Sequence, residues 1–202
     1  MAIIPPPAPL PLRNVQWRAP FPAQVNRSVW TGHRKVIGLP GATVWTATAQ
    51  FVTIVTEARA KRWRGWFTAL RGPVNSFPML ATETVQTTAA NPTVSAGGNA
   101  GVSLPLQGLP VSATVLLSGD MMTVPLPSGH QRLVVLTAPL VSKASGQATA
   151  LFGPDLGEIP AVGALVEVRR PWGLMAQTSE PPGWDVDVGQ TYSFKLTAEE
   201  AL

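Results

Sequence analysis

Few residues in this sequence are suited to acid–base or metal chemistry. Asp185 and Asp187 share one face of an expected strand, with Glu180 upstream. Paired carboxylates of this kind can do acid/base work or hold a calcium ion. The spacing is like the start of an EF-hand loop. However, Gly189 stands at the fifth place from Asp185 instead of the sixth, and no glutamate follows at the twelfth. His33 and His130 are the only histidines, and each sits beside a turn glycine. Neither has a carboxylate or a second histidine at metal-ligand spacing, so both read as solvated loop residues. There is no nucleophile-elbow sequence and no cysteine, hence no thiolate nucleophile, disulfide or thiolate metal site. Gly97-Gly98-Asn99-Ala100-Gly101 has the glycines of a phosphate loop, but lacks the preceding buried strand and the following amphipathic helix. It reads as a turn or linker. The expectation is a protein with no catalytic, cofactor-binding or metal site, and not an enzyme.

Basic and aromatic chemistry is concentrated in one stretch, Thr56 to Gly72. Trp63, Trp66, Phe67 and Leu70 fall at helical spacing on one face and are the expected core anchors. Arg59, Lys61, Arg62 and Arg64 occupy the rest of the circumference. Thr56 is the expected N-cap, Glu57 suits the positive end of the helix dipole, and Arg71-Gly72 is the expected stop. Arginine and lysine interleaved with tryptophan can pair phosphates and stack bases. Here the tryptophans lie on the stripe that must be buried. The basic face is therefore expected to meet a neighbouring subunit, with DNA in a channel as the second choice.

The elements around this helix read as strands and turns. Residues 18–34 suggest a strand ending at Gly32, and Lys35 to Gly41 a turn. Val44 to Val55 is the strongest strand, rich in β-branched residues. Pro73 to Met79 reads as a short strand, held to a sheet edge by its prolines. Residues 82–103 are small and polar. Strands are then expected at Val111–Leu117, Met121–Val124, Arg132–Thr137, Ala148–Phe152 and Gly163–Arg169. Turns fall at Ser118-Gly119-Asp120, Pro127-Ser128-Gly129 and Ser145-Gly146. Short strands at this spacing mean a sandwich or small barrel. In Gln190–Thr197, Tyr192, Phe194 and Leu196 alternate with polar residues, so one face is buried.

The 202 residues are 45% hydrophobic, enough for a proper core, yet only 13% charged. That low charge fits either a compact, weakly charged β domain or a subunit covered by others. Residues 1–90 hold ten Lys/Arg and two acids, and residues 91–202 hold five and nine; the net charges are +8 and −4. Copies packed head to tail could exploit that asymmetry. Five prolines before Leu12 favour an extended arm over residues 1–13, laid on a neighbouring surface or disordered. The segment Met-Ala-Ile-Ile-Pro-Pro-Pro has neither the basic region nor the apolar run of a signal peptide. No stretch approaches the ~18–20 apolar residues of a membrane span.

Several passages, in order, resemble the minor tail proteins of long-tailed, siphovirus-type bacteriophages, and the distal tail protein in particular. They are Trp45-Thr46-Ala47, Trp66-Phe67-Thr68-Ala69-Leu70-Arg71-Gly72 and Asn75-Ser76-Phe77. Then follow Val115 to Asp120, Ser142 to Ala148, Phe152-Gly153-Pro154-Asp155-Leu156 and Arg170-Pro171-Trp172-Gly173-Leu174-Met175. The resemblance covers roughly residues 15–197. It implies a structural protein of the virion tail tip, assembled in the bacterial host cytoplasm. In that family a homohexameric ring joins the tail tube protein to the tip hub or baseplate. The ring part is a β-sandwich with a helix, and a small β module hangs outside it.

The expected fold is therefore mainly β: a ring-forming β-sandwich with one main α-helix, over residues 14–100 and 174–202, and a small β-barrel over 101–173. The insertion rests on Gln190–Thr197 matching Gln50–Val55 in character. Arg59, Lys61, Arg62 and Arg64 are the candidate subunit interface. The alternative function is a carbohydrate- or receptor-binding module of the same tail, using Trp172 or Trp184 as exposed aromatic contacts. A tail-associated hydrolase is the third reading. No cofactor is expected.

Overall fold

The computed structural model describes residues 2–8, 11–39, 43–96, 100–178 and 183–201. In chain order the first elements are β1 (Leu12–Arg18), β2 (Ala23–Arg27), β3 (Arg34–Gly38), β4 (Thr46–Phe51), β5 (Ile54–Val55), α1 (Glu57–Leu70) and β6 (Ser76–Leu80). Next come β7 (Thr93–Val94), β8 (Ser103–Gln107), β9 (Thr114–Leu116), β10 (Met121–Pro125), β11 (Gln131–Leu136) and β12 (Leu140–Val141). The series ends with β13 (Gln147–Gly153), β14 (Trp172–Gln177), β15 (Trp184–Asp187) and β16 (Thr191–Glu200). The protein is mainly β, and α1 is the single α-helix among the described residues.

The chain divides into two compact units. Unit 1 comprises residues 1–18, 45–80 and 173–202, and unit 2 comprises residues 19–44 and 81–172. Residues 19–44 and 81–100, expected in the first domain, fall in the second unit. Each unit has its own hydrophobic core.

Unit 1 is built on β16. The sheet order is β1-β4-β16-β14-β6, and β5 and β15 also pair with β16. Its first residues pair with β5 and β15, and its later residues with β4 and β14. The terminal strand thus closes the sheet that β4 began, with Ala198 opposite Ala47 and Leu196 opposite Ala49. Alternation decides the faces. Ala47, Ala49, Phe51, Phe194, Leu196 and Ala198 point inward, and Thr48, Gln50, Lys195 and Glu199 point outward. The inward alanines leave room for the bulk of α1. Ala60, Trp63, Trp66, Phe67 and Leu70 of α1 are buried against that face. The Phe67 and Phe194 rings stack at 5.7 Å with 10° between planes, and Phe51 meets Trp63 edge-on at 5.0 Å.

The ends of α1 fall where expected, at Thr56 and Arg71, but the N-terminal cap is made differently. Thr56 occupies the N-cap position, but its side chain makes no capping bond. Its φ of 81° turns the chain sharply out of β5, where its N–H bonds the Gln190 carbonyl at 3.2 Å. The last turn is closed by Arg71 in the left-handed region, with its N–H on Thr68 O. Asn75 completes the cap by donating from its backbone to Leu70 O and from its side chain to Ala69 O. β6 lies at the sheet edge, as its proline requires.

The described part of the proline arm is tied to its own unit at its first residues. Ile3 bridges Ser76 in parallel, Ile4 N–H bonds Ser76 O at 2.8 Å, and Trp66 Nε1 donates to Ile4 O at 3.3 Å. Proline has no N–H to contribute, so the bonds come from Ala2 and Ile4, before the proline run. Pro9 lies outside the described residues.

Unit 2 carries a five-stranded sheet in the order β10-β11-β13-β8-β7. The expected strand at Gly163–Arg169 is not a ladder. It makes one bridge to β7 (Thr93 with Leu165) and one to β10 (Thr123 with Glu167). Those two bridges join the outer strands of the sheet and close it into a small barrel. Alternate residues Val166 and Val168 fill the core with Leu104, Val124, Val134 and Phe152. The Ser145-Gly146 turn needs its glycine: φ is +69°, and a Cβ there would lie 2.8 Å from Leu109 O.

The Glu167 carboxylate fixes the turn that leaves this closure. Oε1 accepts from the N–H groups of Arg169 and Arg170, each at 2.9 Å, and Oε2 accepts from Asn91 Nδ2 at 2.6 Å. Burial works to raise its pKa, but these hydrogen bonds and the nearby Arg169 charge together outweigh burial and hold it below 4.5. A carboxylate depressed on folding contributes stability above its unfolded pKa, and that stability is lost as pH falls through the lower folded value. Melting of the wild-type barrel is therefore expected to weaken as pH drops below about 4.5, the unperturbed value. Glu167→Gln should flatten that part of the profile; an unchanged acid limb would refute the assignment.

Candidate subunit interface

Arg59, Lys61 and Arg62 are exposed on α1, as the helical spacing requires. Arg64 is not free. It pairs with Glu57 at 3.6 Å, and its guanidinium carbon lies 4.9 Å from the Tyr192 ring centroid and 5.1 Å from that of Trp184. Its charge is used within the unit, because residue 64 lies toward the edge of the buried stripe, over β15 and β16. The four core anchors Trp63, Trp66, Phe67 and Leu70 are all buried.

Of the two aromatic contacts expected from the sequence, Trp184 is exposed and Trp172 is half-buried. Trp172 is half-buried, with its backbone N and O both bonded to Thr123 Oγ1. Trp184 is 43% exposed, but Arg64 lies across one face of its ring. Asp185 and Asp187 are exposed on β15, and Glu180 lies outside the described residues. A groove of about 420 Å³ places Asp185 with Arg13, Gln50 and Lys195 on the outer face of the sheet. Among the described residues no His, Asp or Glu cluster could hold a metal ion. His33 lies in the turn after β2, and the His130 carbonyl accepts from Leu126 N–H. Gly97, Gly98 and Asn99 of the glycine-rich stretch lie outside the described residues. No helix among the described residues is long and apolar enough to cross a membrane.

The surface that the sequence reading missed is the β2–β3 hairpin. The residues taken there as one strand and a turn pair antiparallel from Ala23 with Gly38 to Arg27 with Arg34. All ten are exposed. The tip is held by Ser28 N–H on His33 O at 2.9 Å and Gly32 N–H on Ser28 O at 3.0 Å. It presents Val29 and Trp30 at 95% and 96% exposure. One face carries the cross-strand pairs Val25–Val36 and Arg27–Arg34, and the other carries Gln24–Ile37 and Asn26–Lys35. The hairpin's base is fixed in unit 2. Leu39 N–H bonds Pro22 O, Phe21 approaches Gly153, and Arg132 Nη2 donates to Thr43 O at 2.8 Å. The available signal was the β-branched Val25 and Val36-Ile37 on either side of the turn-forming Thr31-Gly32.

A scan against protein-family models finds no match, and no curated protein matches this sequence.

Proposed function

We propose that this chain is a structural subunit of a bacteriophage tail tip, forming a homohexameric ring that joins the tail tube to the tip hub or baseplate. The observation that carries an assembly role is the β2–β3 hairpin. It is exposed at every paired position and presents Val25, Val29, Trp30, Val36 and Ile37 to solvent. A two-stranded hairpin alone in water is marginal, and apolar side chains on it call for a covering partner. The low charged fraction agrees with a subunit whose surface is largely covered. The place in a tail rests on the ordered motifs from Trp45 to Met175. A carbohydrate- or receptor-binding role is less well supported, because Trp172 is half-buried and Arg64 occupies one face of Trp184.

Native mass spectrometry of the purified chain should give a hexamer, and labelled chain should appear as a ring at the tail tip in virion images. A stable monomer with no ring in virions would overturn the proposal. Trp30→Ser should weaken the ring while leaving monomer stability within about 0.5 kcal/mol, because Trp30 is almost fully exposed.

A further inference from the structure

We infer that β3 of one copy adds along the open edge of β15 in a second copy of this chain. The two strands would run antiparallel, with Arg34 opposite Asp187 and Ile37 opposite Trp184. This inference rests on the ring reading and names the contact that would build it.

The hairpin is basic and has nothing near it in sequence to neutralise it. No acidic residue occurs before Glu57, while Arg27, Arg34 and Lys35 lie within the hairpin. Arg27 and Arg34 are directly opposed on one face. Like charges in that position destabilise a strand pair unless an anion joins them.

β15 has the complementary character. It pairs with β16 on one edge, from Trp184 with Phe194 to Asp187 with Thr191, and has no strand on the other among the described residues. All four of its residues are exposed. Asp185 and Asp187 share one face, and Trp184 and Val186 share the other. Neither aspartate has an ion pair among the described residues.

The charges also exclude the wrong pairings. Two β15 edges would bring aspartates together, and two hairpins would bring arginines together. Only hairpin on β15 joins opposite signs. In the stated register Arg34 meets Asp187 and Val36 meets Asp185, and Arg27, one strand behind Arg34, lies in line with Asp187 on the same face. On the other face Ile37 lies beside Trp184, which itself lies beside Phe194. A contact between two different surfaces repeats from copy to copy and closes into a ring when the rotation permits.

The test uses two charge-reversed full-length chains, Arg27→Glu/Arg34→Glu and Asp185→Lys/Asp187→Lys, studied by native mass spectrometry. Each alone should lose the ring, because every contact then joins like charges. An equimolar mixture should restore it with alternating copies, since both mixed contacts join opposite charges. Rings from either variant alone, or a mixture that stays monomeric, would overturn the contact while leaving the ring reading intact. A wild-type chain that forms no ring in solution or in virions would remove both. The chain has no native cysteine. Ile37→Cys/Trp184→Cys therefore gives a second measurement independent of charge. Oxidation should produce a ladder of linked chains, and a bond formed only within single chains, or none, would overturn the register.

Discussion

Phe67→Ala is expected to cost unit 1 about 3–5 kcal/mol, the range for truncating a buried aromatic. Phe67 is 1% exposed. It stacks on Phe194 and lies 5.0 Å from the Trp66 ring centroid and 5.8 Å from that of Phe51. Collapse cannot refill the space, because the facing sheet positions Ala47, Ala49 and Ala198 have no side-chain length to extend. Domains of this size keep only about 5–15 kcal/mol in total, so the loss is a large share. Denaturant unfolding would measure it. Hydrogen exchange should show β4, β16 and α1 opening while the barrel core around Leu104, Val134 and Phe152 stays protected. A cost below about 1 kcal/mol, against the truncation range above, would mean that α1 does not hold the sheet through this stack.

Arg132→Ala is expected to cost unit 2 about 2–4 kcal/mol, as much as truncating a buried aliphatic residue. The side chain is 2% exposed. Nε donates to Asp155 O at 3.0 Å and Nη2 to Thr43 O at 2.8 Å. Truncation strands both carbonyls and empties the volume of a long side chain. Restoring the charge alone should not help. A lysine ammonium is a point donor and cannot reproduce the guanidinium fork, so Arg132→Lys should recover less than half the loss. Thermal melts of the three proteins would decide it. Full recovery by lysine would show that charge, not the fork, matters. Because Thr43 follows the hairpin, both variants should also loosen its base and weaken the ring.

What was legible in the sequence follows burial. The α1 stripe could be read because Trp63, Trp66, Phe67 and Leu70 meet a core, and burial imposes periodicity. Tyr192, Phe194 and Leu196 could be read for the same reason. β2 and β3 bury nothing, so their alternation carried no pattern, and the glycines and proline at residues 38–41 read as a turn. The apolar alternation of Gly163–Arg169 does mark its buried residues, Val166 and Val168. Its partners are split between β7 and β10, and pairing leaves no mark on local sequence. Arg132 begins an apolar strand and looks like an exposed edge residue, because the carbonyls that hold it come from Thr43 and Asp155, far along the chain. The arm's prolines spoke for extension but not for what it lies on. That is set by the Ile3–Ser76 bridge and the Trp66 indole.

The central strand of unit 1 also sets a schedule for synthesis. β4 emerges from the ribosome early, but β16, which covers it, follows only after all of residues 81–172. The barrel has most of its partners close in sequence and can form while translation continues. The first sheet must wait for its middle strand, holding β4 with one ladder edge bare. Loop-closure cost across that separation slows the step. A chain interrupted before residue 191 would carry a finished barrel and an exposed, pairing-prone strand. Such fragments are candidates for aggregation or for proteolytic clearance.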